Sequence, residues 1–179
     1  LDYIEGLVIY LLIRRFKPKI TFEIGTAQGI SAAVMANAVE KNQNGGRIIC
    51  ADKKLPHRMS PQFKKAMNAG IIEFYEAKAS EFLTEIDVEP DFIFLDADHG
   101  QEFCMQTVET LHNSFPNALY AYHEWSLSTI STEPEISYIS RSEWLYRFYE
   151  RPAFEKFFPH PPYKHYGFVG SCGLGVVTQ

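Results

Sequence analysis

The sequence predicts an α/β fold with a doubly wound, mostly parallel seven-stranded sheet that ends in an antiparallel C-terminal hairpin. Two patterns indicate this fold. Short apolar runs alternate with helical segments of roughly ten residues, which is typical of a parallel sheet with right-handed crossovers. Towards the end of the chain, apolar residues alternate with glycines instead, as they do in a closing hairpin.

The elements follow one another in chain order. Apolar residues at helical spacing before Pro18 predict an opening helix over residues 1–16. The predicted parallel strands are Ile20–Ile24, Arg47–Ala51, Ile71–Tyr75, Asp91–Leu95 and Ala118–Tyr122. The predicted helices between them are Ser31–Val39, Pro61–Ala69, Ser80–Ile86 and Glu102–His112.

The last third of the chain has a different composition. Residues 126–142 are rich in Ser, Thr and Glu, which predicts a loop or lid. An aromatic helix is expected over Glu143–Phe158, and Tyr163–Thr178 is the expected hairpin. Core packing is the first explanation for the aromatic residues here, and a homodimer surface is the second. The chain length predicts a single domain over residues 1–179.

Charge and cysteine content limit the functional classes. With 17 Lys and Arg against 22 Asp and Glu, the net charge is −5, so nucleic acid is not an expected partner. The longest apolar run, Leu7–Ile13, is far shorter than the ~20 residues that span a bilayer, and no membrane partner is expected. Three separated cysteines are typical of a reduced, cytoplasmic protein.

A glycine-containing turn follows the first predicted strand. Residues 23–31 read Glu-Ile-Gly-Thr-Ala-Gln-Gly-Ile-Ser, at the position where doubly wound sheets meet nucleotide-like ligands. Gly25 and Gly29 permit a tight turn and a close approach of a ligand, and the spacing is neither a dinucleotide fingerprint nor a P-loop. Asp52, after the second strand, is expected beside Gly25, where it could accept ribose hydroxyls. A turn without a ligand and a solvated strand end are the alternatives.

These motifs resemble those of class I S-adenosylmethionine-dependent methyltransferases, of the catechol O-methyltransferase-like, small-molecule O-methyltransferase type. The resemblance runs from Lys17 to Trp125 and includes residues 90–99, which are similar to the fourth-strand motif of that family. It implies a Rossmann-like sheet and S-adenosylmethionine as cofactor. The residues that it assigns to the cofactor are Glu23, Gly25, Thr26, Gly29, Ser31, Asp52, Lys78, Ala79 and Asp96.

Lys78 is a departure from the family pattern. It stands where the family often has an acidic residue that faces the adenine amine. Backbone groups at Ala79 or Ser80 are the expected substitutes.

Ionisable side chains follow the fourth and fifth predicted strands. Asp96, Asp98 and His99 come after one strand, and His123 and Glu124 come after the other. Neighbouring strand ends meet at the ligand crevice of an open α/β sheet, so these side chains are expected to converge. Helix caps at Asp98 and Glu124, and a backbone hydrogen bond at His99, are the alternative interpretations.

This set of residues suits methyl transfer to a hydroxyl group. Asp96 and Glu124 offer oxygen ligands to Mg²⁺ or another divalent cation, and His123 is a further candidate ligand or supports one. His99 is the candidate general base, so Asp96 and His99 are the predicted catalytic residues. The resemblance supports this arrangement, because metal-dependent O-methyltransferases carry an Asp, a basic residue and an acid or amide pair at these places.

The sequence therefore predicts an S-adenosylmethionine-dependent methyltransferase that acts on a small-molecule acceptor, at an oxygen and with help from a divalent metal. Trp125 and residues 126–142 are the candidates for acceptor contacts. Two alternatives stay open at this point: an NAD-dependent oxidoreductase and a catalytically inactive, methyltransferase-like binding protein.

Overall fold

A computed structural model describes residues 3–123, 150–168 and 174–179, and one sheet organises these residues. Its seven strands lie in the order β3-β2-β1-β4-β5-β7-β6. The strands are β1 (Ile20–Ile24), β2 (Arg47–Asp52), β3 (Ile72–Glu76), β4 (Phe92–Leu95), β5 (Leu119–His123), β6 (Lys164–Phe168) and β7 (Leu174–Thr178). The helices are α1 (Tyr3–Phe16), α2 (Ile30–Asn42), α3 (Pro61–Asn68), α4 (Ala79–Glu85), α5 (Gln101–Ser114) and α6 (Glu150–Phe157).

The order of the strands sets the position of the candidate site. β1 pairs in parallel with both β2 and β4, and all four residues of β4 are buried because helices cover both faces of the sheet. The chain leaves β1 in one direction to build β2 and β3, and returns to the other side of β1 to build β4 and β5. Ligands of open α/β sheets bind at such a switch point, outside the carboxyl ends of the strands.

The C-terminal hairpin is antiparallel, as the sequence predicts. β6 pairs with β7, and β7 pairs with β5, so the last strand lies inside the sheet and β6 forms its edge. The predicted α/β fold class is therefore confirmed. Three strands end one residue later than predicted, so that Asp52, Glu76 and His123 are the last residues of β2, β3 and β5.

Aromatic residues of the last third form part of the core. Phe154 and Phe158 are fully buried against Tyr120 and Tyr122, and the rings of Tyr122 and Phe154 stack with their centroids 4.3 Å apart. Core packing therefore explains these side chains. The homodimer through this region stays a prediction, and the predicted loop over residues 126–142 lies outside the described residues.

No helix in the described part of the chain combines the length and the apolar character that crossing a bilayer requires.

Candidate cofactor-binding site

The glycine turn connects the end of β1 to the start of α2. Gly25, Ala27 and Gly29 all have a positive φ, of 93°, 44° and 73°. The Gly25 N–H donates to the Ala51 carbonyl of β2 at 2.9 Å, and the Gly29 N–H donates to the Thr26 carbonyl at 2.7 Å. These bonds fold the turn back over the carboxyl ends of the strands, where the sequence predicts the ligand.

Both glycines are required by contacts within the protein. A Cβ atom at Gly25 would lie 2.0 Å from the main-chain oxygen of Asp96, at the end of β4. A Cβ atom at Gly29 would lie 2.4 Å from the ring of Phe63 in α3. The missing side chains thus make room for the end of β4 and for α3, and the close approach of a ligand at Gly25 and Gly29 stays a prediction.

Asp52 holds the turn in place. Its Oδ2 atom accepts hydrogen bonds from the N–H groups of Thr26 and Ala27, at 3.0 and 2.8 Å. Asp52 therefore lies beside the glycine turn, as predicted. N–H groups at such a turn are the ones that bind phosphate in other nucleotide sites, and here a carboxylate of the protein occupies them. This arrangement favours a cofactor without phosphate groups.

Glu23 is a fully buried acid beneath the turn. Burial raises the pKa of its carboxyl group from 4.5 to about 7, and the nearby Asp96 carboxylate adds to the effect. Ser31, Cys50 and Thr26 face the carboxyl group and lower its pKa in part. Neither of its oxygens has a hydrogen bond of normal geometry within the described residues, so the group is poised to accept one.

A cavity of about 330 Å³ lies between the turn and the ends of β2, β3 and β4. Four predicted cofactor residues line it, and the three predicted residues Glu23, Thr26 and Ser31 are buried near the turn and are not part of its lining. The lining residues are Ile24, Gly25, Ala27, Ala51, Asp52, Lys53, Ala77, Ala79, Asp96, Ala97, Asp98 and Phe103. The sequence analysis missed Phe103, an aromatic residue in the first turn of α5, whose position directly after the fourth-strand motif was the available signal.

Lys78 lies outside this cavity. It lines a neighbouring cavity of about 260 Å³, which shares Lys53, Ala79 and Phe103 with the first. The exposed ammonium group of Lys78 lies 3.8 Å from the Glu81 carboxylate. The main-chain N–H of Lys78 donates a hydrogen bond to the same carboxylate. Lys78, the departure from the family pattern, therefore does not line the candidate cofactor cavity, whereas Lys53 does.

The predicted convergence of the β4 and β5 ends is present at Asp96 and His123. The His123 Nδ1 atom lies 3.2 Å from Asp96 Oδ1, and the other ring nitrogen, Nε2, lies 3.2 Å from Oε2 of Glu5 in α1. The side chains of His123 and Glu5 are 8% and 1% exposed. Sequence analysis missed Glu5, although a single acid inside the apolar α1 segment was a signal.

The other predicted members of this cluster are placed differently. Asp98 is exposed and lines the 330 Å³ cavity, and its Oδ1 accepts a hydrogen bond from the N–H of Gly100, the residue directly before α5. No described side chain caps this helix, so the helix-cap interpretation of Asp98 is wrong. His99 is half-buried in the same connection and does not line the 330 Å³ cavity. Glu124 and Trp125 lie outside the described residues.

The geometry of the possible donor side chains bears on the predicted metal site. Within residues 3–123, 150–168 and 174–179, no group of three or more His, Cys, Asp or Glu side chains is arranged to hold a metal ion. Asp96 and His123 form a pair of donors 3.2 Å apart. The 3.2 Å spacing is that of a direct contact between these two side chains, and no third described His, Cys, Asp or Glu joins them in a metal-binding arrangement, so the described residues do not by themselves form a metal site.

A larger cavity of about 630 Å³ lies along α2 and α3. None of the predicted site residues lines it, and it lies away from the carboxyl ends of the strands. The smaller cavity at the switch point is therefore the candidate site.

Comparison with known proteins identifies the family of the chain. A family model described as a methyltransferase domain matches residues 22–124, which is more than half of the chain, so the chain belongs to this family. The matched region begins in β1 and covers the glycine turn, Asp52, Asp96 and His123. No curated protein matches the sequence.

Solved structures share the fold at low sequence identity. The O-methyltransferase TomG from Streptomyces achromogenes, in complex with SAM, is 19% identical, with a TM-score of 0.70 over 99% of this chain and 80% of that one. The O-methyltransferase from Bacillus cereus, in complex with SAH, is 19% identical, with a TM-score of 0.72 over 100% of this chain and 82% of that one. A SAH-bound methyltransferase from Podospora anserina is 18% identical, with a TM-score of 0.74 over 99% and 79%. The predicted class, an S-adenosylmethionine-dependent methyltransferase, is thereby confirmed, and neither alternative is favoured.

Proposed function

We propose that this methyltransferase acts on an oxygen of a small-molecule acceptor and is assisted by a divalent cation. One observation carries the proposal: the carboxyl ends of β1, β2 and β4 bring Gly25, Asp52 and Asp96 to one cavity at the switch point of the sheet. The names of two similar proteins, both O-methyltransferases with SAM or SAH bound, support oxygen as the acceptor atom.

Different residues are assigned to the ribose, the base and the methionine end of the cofactor. The Oδ1 atom of Asp52 takes no part in holding the glycine turn, so it can accept a ribose hydroxyl. Phe103, Ala77 and Ala79 line the cavity together and offer apolar surface to a flat base. Glu23 and Ser31 are assigned to the methionine end, where an ionised Glu23 would attract the positive amino and sulfonium groups.

The chemistry at the cavity is a displacement at the methyl carbon. S-adenosylmethionine supplies that methyl group, and the new O–C bond forms as the C–S bond breaks and its electron pair goes to sulfur. The acceptor hydroxyl must lose a proton, and His99, three residues after Asp96, is the proposed base. The glycine turn and the end of β4 fix the distance between donor and acceptor.

The proposed cation ligands are Asp96, His123 and Glu124. A divalent cation bound there would supply Lewis acidity that lowers the pKa of the acceptor hydroxyl. Asp96 is the link between the two functions, because it lines the cofactor cavity and also contacts His123. An acceptor held at Asp96 would therefore lie next to the methyl group.

A methylation assay tests the proposal. The protein is incubated with S-adenosylmethionine and a panel of catechols, phenols, hydroxy acids and primary amines, and S-adenosylhomocysteine is quantified by mass spectrometry. We expect turnover with a hydroxyl acceptor, which falls at least tenfold in chelator and recovers when a divalent ion is added back. Asp96→Asn should lose this turnover while it still binds S-adenosylhomocysteine.

Asp87→Asn is the matched control, because Asp87 is an exposed aspartate in the connection between α4 and β4. It should leave turnover unchanged. Methylation of amines alone would contradict the assignment to oxygen, and full activity in chelator would contradict the role of the cation. No turnover of any acceptor on the panel, together with no binding of S-adenosylhomocysteine, would contradict the proposed function as a whole.

A further inference from the structure

A row of large apolar side chains on α1 is exposed to solvent. The spacing of three and four residues places these side chains on one face of the helix. Ile9 and Ile13, on the opposite face, are fully buried. The row, which we call the α1 ridge, consists of Tyr3, Ile4, Leu7 and Leu11, which are 84%, 52%, 44% and 53% exposed. A contiguous exposed apolar row of this kind is typical of an interaction surface.

A groove lies beside the ridge, between α1 and α2. It is a cavity of about 420 Å³, and Tyr3 and Leu7 of the ridge form part of its wall. The helix α2 contributes Ile30, Val34 and Asn37 to the wall, and Ile30 is 51% exposed. The surface formed by α1 and α2 therefore presents an apolar ridge and a largely apolar groove side by side. We call the second feature the α1–α2 groove.

A ridge next to a groove is complementary to a second copy of itself. Exposed rows of side chains on one helix pack into the grooves of another. When two copies are related by a two-fold axis, the ridge of each enters the groove of the other, so one surface supplies both halves of the contact. Leu7 belongs to the ridge and also to the wall of the groove, which places it at the centre of such a contact.

The charges of α1 favour an antiparallel arrangement of the two copies. Its last turn carries Arg14 and Arg15, whereas the acid in its first turn, Glu5, is buried. A parallel arrangement would bring four arginines together. An antiparallel arrangement separates the two pairs and directs each towards the exposed Tyr3 ring of the other copy, where a cation is attracted by the ring face.

An anionic membrane is the other surface that attracts an apolar helix with basic residues at its end. Two observations favour a second copy of the chain instead. The net charge of −5 opposes association with anionic lipid. The groove of about 420 Å³ also has no counterpart on a flat bilayer surface, whereas a ridge of the second copy fills it.

The exposed apolar area suits a standard protein interface. An aromatic side chain can bury about 150–250 Å², and a leucine or isoleucine somewhat less, so the ridge and Ile30 together offer roughly 500 Å² per copy at their exposed fractions. A standard interface buries about 800 Å² on each partner, and about two thirds of its core is apolar. The ridge and the groove therefore supply the apolar part of such an interface.

We propose that α1 and α2 form a homodimer surface, in which the α1 ridge of each copy packs into the α1–α2 groove of the other. This surface differs from the aromatic C-terminal region, where Phe154 and Phe158 are buried inside the chain. The inference goes beyond the proposed function, because no residue of the ridge lines the 330 Å³ cavity. Pairing of the two copies also covers α1, the helix that brings Glu5 into contact with His123.

The mass of the protein in solution tests the inference. Sedimentation velocity of the whole chain over a concentration series should show a transition from 20.5 kDa to twice that mass. Leu7→Glu places a charge at the centre of the contact and should weaken dimerisation at least about 100-fold. Added salt should leave the dimer intact or strengthen it, because apolar contacts hold together two copies that each carry a net charge of −5.

Leu55→Glu is the matched control, because Leu55 is a 37% exposed leucine in the connection between β2 and α3 and does not line the α1–α2 groove. It should dimerise as the wild-type chain does. Circular dichroism checks the fold of each variant. If Leu7→Glu does not fold, Leu11→Ser replaces it and should weaken dimerisation in the same direction. A third variant, Tyr166→Ser, removes a 48% exposed aromatic side chain from β6 and should leave the dimer unchanged.

Three results would overturn the inference. A monomer at every concentration would mean that the ridge does not bind a second copy. A dimer that Leu7→Glu does not weaken would contradict the role of the ridge, and its loss in Tyr166→Ser would assign the interface to the C-terminal hairpin. A monomeric wild-type chain that binds vesicles of phosphatidylserine and phosphatidylcholine, with loss of binding in Leu7→Glu, would assign the ridge to a lipid surface.

Binding of S-adenosylhomocysteine is measured on the same samples. It should be unchanged in Leu7→Glu, because Leu7 does not line the cofactor cavity. A failure of the dimer and a failure of the proposed function are therefore separate outcomes.

Discussion

Two corners of the candidate site are built in different ways. The glycine corner, formed by residues 23–31 and Asp52, is held mainly by main-chain groups: Gly25 bonds to Ala51, and Thr26 and Ala27 donate to Asp52. The histidine corner, formed by Glu5, Asp96 and His123, is held by side-chain contacts at 3.2 Å. The first corner joins neighbouring parts of the sequence, and the second joins residues 118 positions apart.

This difference in construction indicates different roles for the two corners: we expect the glycine corner to bind the cofactor and the histidine corner to take part in the reaction. Main-chain groups cannot be exchanged by mutation, so the glycine corner gives a fixed cradle for a ligand. The side chains of the histidine corner can ionise or be replaced, and they lie where the acceptor is proposed to bind. Substitutions in the glycine corner should therefore change folding and cofactor affinity together, whereas those in the histidine corner should change chemistry with cofactor affinity retained.

The largest effect is expected from Gly25→Ala. The new methyl group would lie 2.0 Å from the Asp96 oxygen, at a φ of 93°. Overpacking costs about 1–3 kcal/mol and the left-handed backbone about 1–2 kcal/mol, so the free energy of unfolding should fall by roughly 3 kcal/mol. Gly70→Ala is the matched control, because it has a φ of 70° and nothing within 4 Å of the new methyl. Denaturant titration of both variants is the measurement, and equal losses would contradict the close contact at Gly25.

Glu23→Gln should have a large effect that depends on pH. The folded chain keeps the Glu23 proton up to about pH 7, whereas the unfolded chain releases it near pH 4.5. The unfolded state therefore binds fewer protons in this window, and the stability of the wild-type chain falls as the pH rises from about 4.5 to 7. The full difference is roughly 3 kcal/mol, so Glu23→Gln should be the more stable protein at pH 8.

Denaturation of both proteins from pH 5 to pH 8 measures this difference. The gap should widen in favour of Glu23→Gln as the pH rises, while its affinity for S-adenosylhomocysteine is lower than that of the wild type. Exposed Glu81→Gln should show no such trend. Parallel stability curves for Glu23→Gln and the wild type would mean that the buried carboxyl group titrates normally.

Asp52→Ala should have an intermediate effect. It leaves the N–H groups of Thr26 and Ala27 without their acceptor, which should lower the free energy of unfolding by about 2 kcal/mol. Affinity for S-adenosylhomocysteine should fall at least tenfold, because the turn and the ribose contact are lost together. Asp52→Asn keeps a neutral oxygen for the turn, so calorimetry should find it more stable than Asp52→Ala. Wild-type affinity in both variants would contradict the role of the glycine corner.

Lys78→Ala should have the smallest effect. The Lys78 ammonium is exposed and lies 3.8 Å from an exposed Glu81, and such pairs contribute about 0–1 kcal/mol. Affinity for S-adenosylhomocysteine should change less than threefold. Lys53→Ala is the comparison, because Lys53 lines both the 330 Å³ cavity and its neighbour. A large loss of affinity in Lys78→Ala, with none in Lys53→Ala, would indicate that the adenine base of the cofactor binds in the smaller cavity.

The glycine corner could be predicted from the sequence because its information is local. Apolar strands, the spacing of Gly25 and Gly29, and an acid at the end of β2 are all visible along the chain, and the alternation of elements indicates a parallel sheet. The reason for each glycine was not visible, because it depends on Asp96 and Phe63, which are brought there by folding.

The histidine corner could be predicted only in part. The meeting of Asp96 and His123 follows from adjacent parallel strands, which the pattern predicts. The contact of Glu5 with His123 could not be predicted, because no periodicity indicates where the opening helix lies against the sheet. Lys78 matched a cofactor residue by its place in the sequence, but the start of α4 places it beside Glu81 and outside the 330 Å³ cavity, so its contact with the cofactor stays a prediction.

A crystal structure with S-adenosylhomocysteine tests the central claim most directly. The account predicts density in the cavity of about 330 Å³, with the ribose beside Asp52 and the sulfur towards Asp96. Density in the cavity of about 630 Å³ along α2 and α3, or a ligand that leaves Asp52 and Asp96 untouched, would contradict it.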